Sequence, residues 1–323
     1  MCSLRVARSR GFAWLTRLSA ARRVRYREDG WQFRRWRDHR MHYIAHGPPD
    51  GPPVVLVHGF GASSYHWRHN FAALADAGYR VYAPCLLGYG FSDKALVDYS
   101  LEFWGAQVSD FVRDVVKRPA VLAGNSIGAV TVLSAAFIDP SLVRGVVLLN
   151  AAGRFEADEG DAKPADPDAQ PSALSVLFRR IVSAAIFYST KLRIGPILRS
   201  VYFDGSRVDE ELVRSIAAPT RDPNALEAFF LISGSGGRSR QSLNALLLAG
   251  LQAPGGPIPL LQLHGAADPW MKPSKAERIK ELYPPSTLVL LPNASHCPHD
   301  DAPRDVNEAL LSWLATLPAP ATA

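Results

Sequence analysis

The sequence predicts an α/β protein with a mostly parallel, eight-stranded sheet flanked by helices and an all-helical cap inserted into it. Short apolar segments with strand character alternate with segments of helical periodicity, first up to Asn150 and again from Pro259. Between these stretches, residues 172–250 show helical periodicity alone. A chain of 323 residues has room for one large domain with such an insertion.

The first two predicted strands flank a polar turn at residues 38–40, which predicts an antiparallel start. The later strands alternate with helices, and this alternation predicts right-handed crossovers and a parallel sheet covered on both faces. The eight predicted strands are Trp31–Arg37, Met41–Ala45, Val54–Val57, Arg80–Ala83, Ala120–Ala123, Gly145–Leu149, Pro259–Leu263 and Thr287–Leu291.

The domain organisation predicted from these elements is a sheet core interrupted once. The core comprises residues 29–150 and 251–317, and residues 151–250 form the helical cap. Within the cap range, residues 154–171 hold six acidic side chains and several Gly and Pro residues, as expected of a solvated loop. Residues 1–28 form an N-terminal arm, and residues 318–323 a short tail.

The net charge of +6 resides in the N-terminal arm. Residues 1–40 contain 12 Arg and 3 acids, whereas the rest contains 24 basic and 27 acidic residues, a net charge of −3. The predicted folded body therefore lacks the basic excess of a nucleic-acid-binding protein. The arm is rich in Arg, Ser and Ala and free of acid over its first 25 positions, which predicts an organellar transit peptide.

The three cysteines predict neither a disulfide framework nor a zinc site, and the sequence implies no metal and no cofactor. Residues 120–138 are uncharged over a length that could cross a membrane. Polar and glycine residues interrupt this stretch at 124–128, so we predict a buried strand that turns into a buried helix. No other segment is a candidate for a transmembrane span.

The segment Gly124-Asn125-Ser126-Ile127-Gly128 matches G-x-S-x-G, between a predicted strand and an apolar helix. This context favours a nucleophilic Ser126, because the sharp turn exposes the hydroxyl and the glycines admit neighbouring backbone. A serine needs a base and an orienting carboxylate, which follow in the order Ser, acid, His in such proteins. Asp268 and His296 each follow a predicted strand and complete the predicted triad.

Other residues compete for these roles. Asp93 and Asp300 are the alternative acids, both expected in surface loops, and His299 is the alternative base. The segment His299-Asp300-Asp301 is more typical of a helix start or a solvated patch.

Backbone N–H groups of Phe60 and Ile127 are predicted to form an oxyanion hole, since His58-Gly59-Phe60-Gly61 follows a buried strand. The residues expected around the substrate pocket are His58, Gly59, Asn125 and Trp270. His58 is expected to shape the oxyanion loop rather than to transfer protons. Trp67 and Trp104 suit either the pocket or the core.

The motifs HGFGAS, LLGYGFSDK, GNSIG, HGAADPW and SHCPHD occur in this order. Over residues 41–316 the chain resembles the α/β-hydrolase superfamily. Within it, HGFGASSYHWRHN, DKALVDYS and HCPHD resemble plant and algal chloroplast hydrolases related to pheophytinase and chlorophyll dephytylase. That resemblance implies cleavage of a phytylated chlorophyll-type pigment in the chloroplast, with mitochondrion and cytoplasm as alternatives. Cys85, Ala129 and Ser295 depart from the residues common in relatives.

A serine nucleophile excludes the dehalogenase and epoxide hydrolase mechanisms, which use Asp at that position. The predicted reaction is hydrolysis of a carboxylic ester through an acyl-enzyme. The predicted substrate is bulky and apolar, which suits the apolar helices of the predicted cap. Two alternatives remain open: a C–C bond hydrolase of vinylogous diketones, favoured by Asn125 beside the serine, and a ligand receptor that retains the triad. The expected partner is a small molecule, with peripheral membrane contact as a route of access.

Overall fold

An eight-stranded sheet forms the centre of the structure, a computed structural model that describes residues 30–156, 173–235, 241–253 and 256–318. The strands are β1 (Trp31–Trp36), β2 (His39–His46), β3 (Pro53–Val57), β4 (Arg80–Pro84), β5 (Ala120–Asn125), β6 (Val143–Leu149), β9 (Leu260–Gly265) and β10 (Thr287–Leu291), with a small hairpin of β7 (Gln252–Ala253) and β8 (Gly256–Pro257) outside the sheet. The order across the sheet is β1-β2-β4-β3-β5-β6-β9-β10. Only β2 runs antiparallel to its neighbours, β1 and β4. The predicted fold class is confirmed.

The helices are α1 (Phe71–Asp76), α2 (Leu101–Phe111), α3 (Ile127–Ile138), α4 (Ala173–Leu192), α5 (Ile194–Arg199), α6 (Glu210–Ala217), α7 (Ala225–Ser235), α8 (Leu243–Leu248), α9 (Pro273–Leu282), α10 (Pro298–Asp301) and α11 (Pro303–Leu314). Among the described residues, no helix is long and apolar enough to span a membrane. The uncharged stretch 120–138 is β5 followed by α3, as its sequence pattern predicts.

Two apolar cores lie on the two faces of the sheet. In β3, Val55 and Val57 belong to the core that contains α2 and α3. The alternate residues Val54 and Leu56 belong to the opposite core, which α1 and α11 close. Successive side chains of a strand point to opposite faces, so a central strand covered by helices on both sides requires an unbroken apolar run.

The insertion between β6 and β9 is helical, and its parts pack differently. Helix α8 contacts α3 and α9, and Leu243, Leu246 and Leu247 are buried in the core on that side of the sheet. We therefore apply the name cap helices to α4–α7 alone, although the cap range expected from the sequence included α8. The acidic loop falls largely in 157–172, and the arm and all but residue 318 of the tail also lie outside the described residues.

The turn from β5 into α3 depends on small residues on either side of Ser126. A β-carbon added at Gly124 would lie 2.2 Å from the carbonyl oxygen of Gly128. One added at Gly128 would lie 2.4 Å from the carbonyl oxygen of Val57. Both distances are below contact, and the obstructing atoms are backbone, so this turn excludes side chains at both positions.

The variant Gly128→Ala should therefore be destabilised. We expect a loss of about 1–3 kcal/mol in the free energy of unfolding, because β3 and α3 must separate to admit the methyl group. Urea denaturation followed by circular dichroism measures it. Gly195→Ala is the matched control, since its β-carbon would lie no closer than 3.3 Å to any neighbour, an arginine side chain. A Gly128→Ala variant as stable as Gly195→Ala would contradict the steric account.

Candidate active site

Ser126 lies at the carboxyl end of β5, in the backbone conformation that the sequence pattern predicts. Its φ is 56° and its ψ −117°, a region that non-glycine residues rarely adopt. Its N–H donates to the carbonyl oxygen of Leu149 at 2.9 Å, which ties the turn to β6. The side chain is 7% exposed. Strain of this kind persists where surrounding structure enforces it, as at functional sites.

The loop that follows β3 lies directly against Ser126. A β-carbon added at Gly59 would lie 3.3 Å from Cβ of Ser126 and 3.0 Å from Oδ1 of Asn125. The N–H of Ile127 belongs to the first turn of α3, where backbone donors have no acceptor within the helix. The two predicted oxyanion donors, on Phe60 and Ile127, thus belong to segments that meet at Ser126.

His58 holds the oxyanion loop in place. Its Nδ1 contacts the carbonyl oxygen of Gly59 at 2.8 Å, and its Nε2 accepts from the N–H of Leu86 at 3.1 Å. Burial lowers the pKa of His58 to about 4, so the imidazole is neutral and donates through Nδ1. This arrangement supports a role in shaping the loop.

His296 and Asp268 form a close pair. Nδ1 of His296 lies 2.7 Å from Oδ2 of Asp268, and both residues are 5% exposed. The loop after β10 carries His296 and the turn after β9 carries Asp268, so the carboxyl ends of two neighbouring parallel strands bring them together. A carboxylate at Nδ1 leaves Nε2 of the imidazole as the proton acceptor, the tautomer that a general base needs.

Asn150 completes the surroundings of Asp268. Its Nδ2 donates to Oδ2 of Asp268 at 2.7 Å, and its Oδ1 accepts from the N–H of Gly265 at 3.0 Å. The N–H of Trp270 donates to Oδ1 of Asp268 at 2.8 Å. Burial by itself would raise the pKa of Asp268, but His296 and backbone donors outweigh it and lower that pKa. Asn150 was not among the residues predicted from the sequence, where its only signal is its position directly after a strand.

Asn125 joins the serine turn to the histidine loop. Its Nδ2 donates to the carbonyl oxygen of His296 at 2.9 Å and to that of Leu149 at 3.2 Å. The side chain is 1% exposed. Its observed contacts are therefore those of a positioning residue between Ser126 and His296.

The four residues assigned to the substrate pocket do not line one common cavity. His58 and Asn125 are buried and bonded to backbone, Gly59 packs on Ser126, and none of them lines the cavity described next. The ring of Trp270 lies 4.7 Å from the ring of His296 and is 56% exposed, so it flanks His296 from the solvent side.

An apolar cavity with about 720 Å³ of empty space, part of it open to solvent, lies between the oxyanion loop and the cap helices. Phe60 forms part of its floor, and its ring contacts those of Tyr89 and Phe229 at centroid distances of 5.8 and 6.3 Å. Across the cavity, Phe187 of α4 packs on Phe229 of α7. Trp67 and Trp104, which suited either pocket or core from their sequence, are fully buried.

The residues after the histidine form a buried ionic cluster, which corrects one prediction. Asp300 is 0% exposed, not a surface residue, because Nε and Nη2 of Arg68 donate to its two oxygens at 2.6 and 3.0 Å. Arg68 also binds Asp209, the N-cap of α6, at 2.9 Å. His299 is likewise buried, so the expected solvated patch is wrong, whereas the expected helix start is α10.

The histidine loop is bonded to the chain between α5 and α6. The carboxylate of Asp301 accepts from the N–H of Ser295 at 2.9 Å, of Phe203 at 2.7 Å and of Asp204 at 3.1 Å. The N–H of His296 donates to the carbonyl oxygen of Val201 at 3.2 Å. The chain between α5 and α6 and the loop that carries His296 are therefore held in one hydrogen-bonded unit.

Buried imidazoles predict acid sensitivity. Burial lowers the pKa of His66, as it does that of His58, from 6.5 to about 4. The unfolded chain binds these protons near pH 6.5 and the folded chain only near pH 4, so stability is full above pH 6.5 and falls as pH drops toward 4. At about pH 5 we expect a loss of about 2 kcal/mol per histidine.

Urea denaturation at about pH 7.5 and about pH 5 measures this loss. The variant His66→Gln, which can still contact the hydroxyl of Tyr202, should lose less stability on acidification than the wild type. Equal losses in the two proteins would contradict the assignment to His66.

Residues 54–309 match the model of the Alpha/beta hydrolase family. Chloroplastic pheophytinase of Arabidopsis thaliana is 29% identical over 86% of this chain, which spans 64% of that protein. A haloalkane dehalogenase of Mycolicibacterium paratuberculosis is 30% identical over 86% of this chain and 88% of its own length. Among solved structures, Cfl2 from Burkholderia cenocepacia superposes with a TM-score of 0.70 at 22% identity, covering 90% of this chain and 99% of that one.

Proposed function

The chain belongs to the alpha/beta hydrolase family, and from that premise we propose that it is a serine esterase in which Ser126, His296 and Asp268 act as nucleophile, base and orienting carboxylate. The observation that carries the proposal is the 2.7 Å contact between His296 Nδ1 and Asp268 Oδ2, in a loop that Asn125 bonds to the Ser126 turn. A serine at this turn favours an acyl-enzyme over the mechanisms of relatives that use an aspartate nucleophile.

In the proposed mechanism, His296 removes the proton of the Ser126 hydroxyl through Nε2 while the oxygen attacks the ester carbonyl. The N–H groups of Phe60 and Ile127 stabilise the tetrahedral oxyanion. The imidazolium then protonates the leaving alcohol, which yields the acyl-enzyme. A water molecule, deprotonated by the same imidazole, attacks the acyl carbonyl and releases the acid and Ser126.

The proposed substrate is a bulky apolar ester such as a phytylated chlorophyll-type pigment. Support comes from the cavity beside Phe60, which is walled mainly by apolar and aromatic side chains of the core and cap helices. The relative named pheophytinase is described as chloroplastic, which is consistent with a chloroplast location and a transit-peptide role for residues 1–28.

The test is a panel of esters given to the purified protein, from short acyl esters to a phytylated pigment, with both released alcohol and acid quantified. The variant Ser126→Ala supplies the background, and only turnover above it counts. We expect turnover of the phytyl ester. Turnover confined to small esters would contradict the pigment as substrate but not the proposed mechanism. Absence of Ser126-dependent turnover with every ester would overturn the esterase proposal.

The C–C hydrolase alternative rested on Asn125 beside the nucleophile. The contacts of Asn125 with two backbone carbonyls give that residue a positioning role, so the ester reaction is the better supported. A vinylogous diketone added to the same panel distinguishes the two. The receptor alternative predicts a single slow turnover with lasting modification of His296, which mass spectrometry of the recovered protein detects.

A further inference from the structure

Helix α4 exposes a continuous apolar face to solvent, which we call the outer face of α4. Because an α-helix advances about 100° per residue, its six apolar side chains fall within an arc of about 160°. Proteins that stay in water seldom expose contiguous apolar patches without a partner. The six residues and their exposed fractions are Phe178 at 67%, Ile181 at 60%, Val182 at 38%, Ile186 at 48%, Tyr188 at 56% and Leu192 at 86%.

The opposite side of the same helix forms part of the apolar cavity. Phe187, Thr190 and Lys191 line the cavity, and Phe187 lies about 180° around the helix from Phe178. Helix α4 packs there against α7. A single helix, about 10 Å thick, therefore separates the cavity from the outer face. Helix α4 therefore has apolar side chains toward solvent as well as toward the cavity, whereas a surface helix of a protein in water usually turns its polar face outward.

Helix α4 and the residues that follow it up to position 203 carry charges of one sign. Residues 173–203 contain five basic side chains and no acidic one. Arg180 pairs with Glu227 of α7 and Lys191 lines the cavity, whereas Arg179, Arg193 and Arg199 are exposed. Basic side chains that flank an apolar helix face suit an anionic lipid surface, where the stems lie along the acyl chains and the cations reach the headgroups. A second copy of this chain would bring the same cations together, which disfavours self-association through this face.

We propose that the outer face of α4 docks on a membrane that contains anionic lipid, and that substrate dissolved in this membrane reaches the cavity by displacement of α4. The identity of that substrate rests on the proposed function, but the docking does not. Interfacial helices of this kind bury their apolar face at the boundary between headgroups and acyl chains, so no transmembrane span is required.

The test uses the full chain with vesicles of phosphatidylcholine, with and without phosphatidylglycerol. Cosedimentation measures affinity, and amide hydrogen exchange resolved by peptide distinguishes protection of α4 from contact by the basic N-terminal arm. The variant is Ile181→Asp/Leu192→Asp. Its control, Leu96→Asp/Leu290→Asp, makes the same change in charge and apolarity at two residues that are 60% and 43% exposed outside the cap.

We expect the mixed vesicles to bind the wild type and the control and to protect residues 173–192 from exchange, whereas the variant binds at least about tenfold more weakly and leaves them unprotected. Hydrolysis of an ester carried in the vesicles should fall with binding, while that of a soluble ester stays unchanged. Protection absent from the wild type, or equal in wild type and variant, would overturn the docking. So would a dimer in the wild type that the variant abolishes.

If no ester is cleaved by a Ser126-dependent route, the proposed function fails while docking remains measurable, since neither cosedimentation nor exchange requires turnover. If esters are cleaved but vesicles leave α4 unprotected, the docking fails alone.

Discussion

The variant Asp268→Asn should lower kcat by about 10⁴-fold with little change in KM. The carboxylate contacts Nδ1 of His296 at 2.7 Å and accepts from Nδ2 of Asn150 at the same oxygen. An amide at this position must turn its NH2 group toward one of these two donors or toward the N–H of Trp270. It also favours a proton on Nε2 of His296, which removes the base from the serine. Steady-state kinetics on the best ester of the panel measures the loss.

Asp93→Asn is the matched control, because Asp93 was, with Asp300, one of the two alternative acids, and it lies outside the buried ionic cluster. Its carboxylate accepts from the N–H of Arg40 at 2.8 Å and pairs with the Arg40 guanidinium, with no contact to a histidine among the described residues. We expect its kcat to stay within about threefold of the wild type. If Asp93→Asn lowered kcat about 10⁴-fold and Asp268→Asn left it within about threefold, Asp268 would not be the orienting carboxylate.

The variant Arg68→Met should be destabilised by about 3–5 kcal/mol. Arg68 is 1% exposed and is the counter-charge of Asp300, which is 0% exposed. Removing the guanidinium leaves the buried carboxylate without its arginine, in contact with the Tyr202 hydroxyl at 2.9 Å and Nε2 of His69 at 3.5 Å, and releases Asp209 at the start of α6. Unfolding in urea, followed by both tryptophan fluorescence and circular dichroism, measures the change.

Two further variants test the cause of that loss. Arg113→Met removes an arginine that pairs with Asp110 and Asp139 at the surface, and its effect should stay within about 0.5 kcal/mol. Arg68→Met/Asp300→Asn removes both buried charges, so it should recover part of the stability lost in the single variant. A double variant less stable than Arg68→Met would contradict an uncompensated charge as the cause.

The fold and the proposed triad could be predicted because their signals are local. The central strands β3 and β5 are apolar runs of their own, and the Ser126 turn is specified by Gly124 and Gly128 on either side. Asp268 and His296 could be assigned because parallel strands deliver residues at their carboxyl ends to one edge of the sheet.

The buried ionic cluster could not be predicted, because its signal is not local. Asp300 is an ordinary surface residue in its own sequence neighbourhood, and the arginine that makes its burial tolerable lies 232 positions earlier. The contact of Asn150 could not be predicted for a similar reason, since its partner Asp268 is 118 residues away. The cavity belongs to no single segment, so its position emerged only from the packing of the cap helices on the oxyanion loop.

The bonds of Asp301 to Ser295, Phe203 and Asp204 divide the cap into a fixed part and an exchangeable part. Residues 201–204 share hydrogen bonds with the segment that carries His296, Asp300 and Asp301, so foreign sequence there would disturb His296 as well as the cap. Helices α4 and α7 make no such bond among the described residues. In recombination between relatives, or in engineered grafts, helices α4 and α7 can therefore be exchanged, whereas the whole insertion cannot.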